Sequence, residues 1–367
     1  MVLPLVVIAH AVLSAAGVSL DDGACAAALA ARPSPACAGS ERGVVLAESP
    51  ARADHLLAAA EAGAARFEVL FGRPPGTFAI VEADSPTVDT ATTAALRQAG
   101  FKTILPWLSS TGYRAQIEAG VRGSVASQTA GLDEAERQAA VATALARVAP
   151  QLDPARRATT ETVAIPHELG HDWYRKAFWP DEGTGNGEGA ARVKHYGGPG
   201  PDWMDETAAV MLETDASLQD RRKMFGERYR ALRASPSPTT AESRLTDLIR
   251  FLEEDHPGAE AVRAVIDRDG AAVRSGTAIR VLSGDDARRV ADQGLRFYLQ
   301  AVVFNDYLVE TSGDPQILAR IGEAFGRGET LRDWLSRDTT GRLPDSVSAL
   351  DADWKTWIEA RHGQAPL

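Results

Sequence analysis

The pentapeptide His167-Glu168-Leu169-Gly170-His171 constrains this chain more than any other stretch of it. Side chains at i and i+4 lie one turn apart on the same face of a helix, so two imidazoles at this spacing can reach one metal ion. The glutamate between them flanks that ion, where it can take a proton from a bound water. Zinc accepts neutral imidazole in a tetrahedral shell, and a catalytic zinc keeps one position open for water. Two histidines leave such a shell one protein ligand short, so the chain must bring a further ligand to this helix from elsewhere.

Glu206 is the strongest candidate for it. It stands in Asp202-Trp203-Met204-Asp205-Glu206-Thr207-Ala208-Ala209, which reads as the start of a second helix with Asp202 as its cap. The 34 residues from 172 to 205 suit the end of one helix, a long Gly/Pro-rich loop over 180–201 and a returning helix. The shorter HExxHxxGxxH arrangement is excluded, because Tyr174 and Ala177 occupy the positions where it needs Gly and His. Asp205 is a rival ligand or a support from behind; Glu213 and Asp215, on the same helix, are further supports of this kind or merely solvated, with solvation the favoured reading.

HExxH followed by a Trp-x-x-Glu-x-x-Ala helix resembles the gluzincin metallopeptidases, whose zinc is held by two histidines and a glutamate. Tyr196-Gly197-Gly198-Pro199 leading into 201–206 is similar to the bacterial peptidase-MA-like group. Phe297-Tyr298-Leu299, the stretches 321–325 and 326–331, and Asp353-Trp354 resemble its helical C-terminal part. The resemblance covers residues 52–360 and is specific over 163–206, whereas 109–160 matches nothing in it. It implies Zn2+ on His167, His171 and Glu206, with Glu168 as general base in peptide-bond hydrolysis and a peptide or protein as substrate. It also implies a Tyr or His that stabilises the oxyanion, for which Tyr298, His195 and Tyr196 are the candidates. The alternative is a zinc-containing binding or scaffold protein of the cell envelope that has lost turnover.

Around the motif, short apolar runs predict strands at 44–46, 77–81 and 101–108. The last of these is a sheet edge, because Pro106 cannot donate to a ladder on both sides. Helical spacing covers 52–70 and 133–148, and 109–132 has no clear pattern. Thr162 reads as the cap of the motif helix, which puts Pro166 in the first turn, where its missing N–H costs nothing. Further helices are expected on Leu295, Leu299, Val302 and Val303, on Ile317, Ile321 and Phe325, and on Leu350, Trp354, Trp357 and Ile358. The expected fold class is α+β: a small N-terminal mixed sheet with helices over 44–166, then a mostly helical zinc-binding part over 167–367. Trp107, Trp173, Trp179 and Trp203 read as packing residues, and His55, His256 and His362 have no partner visible in the sequence and are expected to play no part in the site.

The net charge of −11, with no dense run of Lys or Arg, argues against nucleic acid as a partner. Residues 2–20 are almost wholly apolar and read as a secretory signal sequence or an N-terminal anchor, although no basic residue precedes them. Residues 21–43 read as a loose lead-in. Its cysteines, Cys25 and Cys37, fit a disulfide formed in an oxidising compartment better than two free thiols, which would place the protein outside the cytoplasm.

Overall fold

Four short runs of apolar residues pair into one sheet: β1 (Ala36–Gly39), β2 (Gly43–Ala47), β3 (Phe78–Ala83) and β4 (Thr103–Leu108), in that spatial order. β1 is antiparallel to β2, and the other two pairs are parallel. The computed structural model describes residues 20–180, 199–256 and 284–364, apart from positions 86, 130, 238, 240–242 and 338–340. The expected leader, save Leu20, and the loop carrying His195 and Tyr196 lie outside these residues.

Successive strand residues face opposite sides of a sheet. Val44, Leu46, Ala79 and Val81 therefore point one way, toward α1 (Leu20–Ala31) and α3 (Thr90–Gln98), which contribute Ala28 and Leu96. Val45, Phe78, Ile80 and Leu105 point the other way, into the main core with Leu56, Ala60 and Phe67 of α2 (Pro50–Phe71). Both faces are covered, which is why β2 and β3 read as unbroken apolar runs rather than alternating ones. β4 has only β3 beside it among the described residues, so it is the edge that Pro106 predicts.

After β4, α4 (Ser110–Gln128) and α5 (Glu134–Val148) form a helical pair that precedes α6 (Pro154–Phe178), the helix bearing HExxH. The rest is helical: α7 (Asp202–Val210), α8 (Asp215–Ala234), α9 (Leu248–Glu253), α10 (Gly284–Ser312), α11 (Ile317–Gly326), α12 (Leu331–Leu335) and α13 (Val347–His362). The fold is α+β, a small mixed sheet followed by a mostly helical remainder. Trp173 and Trp203 are packing residues, as expected. Trp173 lies edge-on to Phe67 between α6 and α2, and Trp203 meets Phe251, Phe304 and Phe325. No helix among the described residues is long and apolar enough to cross a membrane.

Four expectations need correction. The lead-in over 21–43 is not loose: it holds α1 and β1, tied by the Cys25–Cys37 disulfide. The unassigned stretch over 109–132 contains α4, whose Ser109 cap accepts the Gly112 N–H at 2.9 Å. Asp202 is not the cap of α7. Pro201 holds that position, and the Asp202 carboxylate instead accepts the backbone N–H of His256 at 2.6 Å.

The fourth correction concerns the motif helix. It begins at Asp153 and Pro154, not at Thr162, because Asp153 accepts the Ala155 N–H and proline suits the first helical turn. Pro166 is therefore inside α6, where a proline forfeits a backbone hydrogen bond at a cost of about 3 kcal/mol. Gly63 on α2 explains how it is tolerated. A Cβ at Gly63 would stand 2.4 Å from the Pro166 Cβ, so only glycine lets the ring pack into the α2–α6 seam. Burial of the ring offsets part of the lost hydrogen bond.

Candidate metal centre

The site is made by α6 and α7 lying unusually close. A Cβ on Gly170 would come within 2.9 Å of Leu212 Cδ1 and 3.0 Å of the Ala209 Cα. The glycine inside HExxH thus lets α7 lie against the histidine-bearing face of α6. Glu206, one turn before Ala209, then reaches both imidazoles. Its carboxylate is buried, with Oε2 3.7 Å from His167 Nε2 and Oε1 3.8 Å from His171 Nε2.

One ligand atom from each of His167, His171 and Glu206 lies within 4.8 Å of the others, a group that could hold a metal ion. Ligand atoms about 2.0–2.2 Å from a tetrahedral ion stand roughly 3.4 Å apart, so closing on an ion needs shifts on the order of an ångström. Glu206 Oε2 is buried without a hydrogen-bond partner among the described residues, and leaving a carboxylate oxygen so is costly unless something binds it. The residues therefore fit a cation in both donor set and unmet demand.

The outer edges of both rings are held by carboxylates. His171 Nδ1 lies 2.8 Å from Asp205 Oδ2, and His167 Nδ1 lies 3.1 Å from Glu213 Oε1. An Nδ1–H donated to a carboxylate leaves Nε2 with its lone pair facing the point where the three ligands converge. Asp205 thus supports from behind, as one of its expected roles. Glu213 is a correction: it is buried, not solvated, and Arg221 grips it through two hydrogen bonds of 2.8 and 2.6 Å. Asp215 does lie in solvent, paired with Arg66 at 2.8 Å.

Charge is concentrated here and partly compensated. Burial opposes a charged His171, but Asp205, Glu206 and Glu168 outweigh it and raise the ring to about 10. Burial, only partly opposed by the two histidines, pushes Glu206 up to about 7. Glu213 goes the other way: burial would raise it, yet the His167 and Arg221 hydrogen bonds hold it below the ordinary carboxylate range. Glu168 is the one exposed member of the motif, and its field reaches both His171 and Glu206.

His256, which had no visible partner in the sequence, belongs to the site. Its ring is buried with Nε2 3.3 Å from Glu206 Oε1, on the side of the carboxylate away from the orphaned Oε2. Burial first, and then the two histidines, lower it to about 3, so it is a neutral imidazole. Tyr298 stacks on it at 5.8 Å and meets the His167 ring edge-on at 5.6 Å. Of the three oxyanion candidates, Tyr298 is therefore beside the site, while His195 and Tyr196 fall outside the described residues. His55 and His362 stand elsewhere, against Glu161 and Phe225 respectively.

No family model, no curated protein and no solved structure matches this chain.

Proposed function

We propose that this chain is a zinc metallopeptidase of the gluzincin type. The observation that carries the reading is the convergence of the two Nε2 atoms and one Glu206 oxygen, with both Nδ1 atoms braced by carboxylates and an exposed Glu168 beside them. Zinc is the ion because two imidazoles and one carboxylate form a borderline-soft donor set with a position left for water. When bound, it supplies a Lewis acid that acidifies water and polarises a carbonyl.

The protein's own groups do the rest. Glu168 takes the proton of the attacking water and passes it to the departing amine. Glu213 and Asp205 keep the imidazoles in the tautomer that ligates. The outer edge of β4, with no further strand beside it among the described residues, offers backbone groups to an extended peptide, so that the chain adds as a further strand. Tyr298, whose ring meets that of His167, is the oxyanion-donor candidate that lies beside the site. The Cys25–Cys37 disulfide supports a working place outside the cytoplasm.

The deciding experiment compares wild type with Glu168→Gln on unfolded casein, alongside zinc measured per chain. Wild type should cleave, a chelator should stop it, and the variant should lose turnover by at least about 100-fold with its zinc intact. Equal turnover in the variant refutes Glu168 as base, and a chain that retains no zinc refutes the metal reading.

A further inference from the structure

We propose that the cavity at the N-terminal end of α6 binds a carboxylate of the substrate, making this an enzyme that selects acidic peptides. This inference rests on the peptidase reading above. The cavity is about 440 Å³, walled by Arg52, His55, Ser110, Tyr113, Arg114 and Arg157, with no carboxylate among the described residues of its lining. In a chain with 50 acidic and 39 basic residues, such a wall departs from the average surface.

Its guanidiniums are held from beneath. Arg52 donates to Glu82 at 2.6 Å and to Glu161 at 2.6 and 2.8 Å, and Arg157 Nε donates to Glu161 at 2.8 Å. Those two carboxylates are 0% and 2% exposed, so they orient the arginines without facing the cavity. Arg157 also lies over the Tyr113 ring at 5.1 Å. Glu48, nearby, is bound to the Ser110 hydroxyl at 2.6 Å. Arg114 stands exposed in the cavity wall. Arg52 and Arg157 are balanced by the two buried glutamates, so the exposed Arg114 is the guanidinium left to meet a ligand, and its planar fork matches a carboxylate.

The cavity also lies where a bound peptide would pass. Arg157 and Glu168 are eleven residues apart, about three turns, so they share one side of α6 at a separation of roughly 16 Å. β4 runs along that same side. Thr103 bonds Asp172, Trp107 Nε1 donates to Glu161 at 3.0 Å, and the Leu108 carbonyl accepts from Arg157. An extended chain rises about 3.3 Å per residue, so about five residues lead from Glu168 to the cavity. The selected group is thus an Asp or Glu side chain, or a terminal carboxylate, about five residues from the cleaved bond.

The test uses the full-length protein carrying Glu168→Gln and three fluorescein-labelled Gly/Ser/Ala decapeptides. One has Glu-Glu at one end and an amidated C-terminus, one has Gln-Gln in its place, and one is the Gln-Gln peptide as a free acid. The Glu peptide or the free acid should bind about tenfold more tightly than the Gln amide, and their comparison tells side chain from terminus. Arg114→Glu should erase the difference, and Arg114→Lys should retain most of it, with zinc content and melting temperature unchanged in both. Equal binding of all three peptides, or discrimination that survives Arg114→Glu, overturns the proposal. Digestion of the same peptides by wild type separates the two readings: Arg114-dependent binding without any cleavage refutes the peptidase and leaves the carboxylate site standing.

Discussion

Gly170→Ala tests how the metal centre is assembled. Alanine is favoured over glycine inside a helix by about 1 kcal/mol, so local propensity predicts a more stable α6. The tertiary structure predicts the opposite. The new Cβ would be 3.0 Å from the Ala209 Cα, a backbone atom, where carbon atoms prefer 3.5–4.0 Å. Relief requires α7 to back away by about half an ångström, and overpacking of this kind costs about 1–3 kcal/mol. The two terms leave a net loss of about 0–2 kcal/mol in metal-free stability. Metal binding should suffer more. Glu206 already stands 3.7 and 3.8 Å from the histidine nitrogens, and a retreat of α7 widens both gaps. Zinc affinity should fall by about 10–100-fold, as it does when a ligand's support is lost. Thermal melts of the metal-free protein and zinc competition against a chromophoric chelator measure the two effects separately. A variant that melts higher than wild type and binds zinc equally well would refute the close approach of α6 and α7 as the feature that builds the site.

Two further outcomes follow from the same geometry. His256→Phe keeps a ring against Tyr298 but removes the nitrogen 3.3 Å from Glu206, so zinc affinity should drop about tenfold while the melting temperature holds. Unchanged affinity would make His256 a packing residue only. Metal binding should also release protons, because the ion needs an unprotonated His171, which in the metal-free protein holds its proton up to about pH 10. Affinity should therefore rise about tenfold per pH unit between 7 and 10, and more steeply below about 7, where Glu206 is protonated as well. Calorimetry in buffers of differing ionisation enthalpy reads this directly; no proton release at pH 8 contradicts the raised His171.

The placing of His167 and His171 where they could share a metal ion is a local property, visible in the sequence because helix hydrogen bonding sets which side chains stack at i and i+4. The apolar runs at 44–46 and 77–81 and the edge position implied by Pro106 are legible for a similar reason, since strand geometry acts on neighbouring residues. Helix starts are less legible where two cap signals compete. Thr162 and Asp153 both suit a cap, and Asp153 prevails because Gly63 on another helix makes room for Pro166 inside α6. The burial of Glu213 and the place of His256 were beyond local pattern. Glu213 is 46 residues from His167, and nothing in its own neighbourhood marks it as buried. His256 is recruited by the Asp202 carboxylate and the Tyr298 ring, which lie on two other helices. By itself, then, the sequence determined which residues could ligate a metal and on which face of a helix. Only the tertiary structure decided which carboxylates brace them and that one Glu206 oxygen has no hydrogen-bond partner among the described residues, because burial and partner choice depend on how distant surfaces pack.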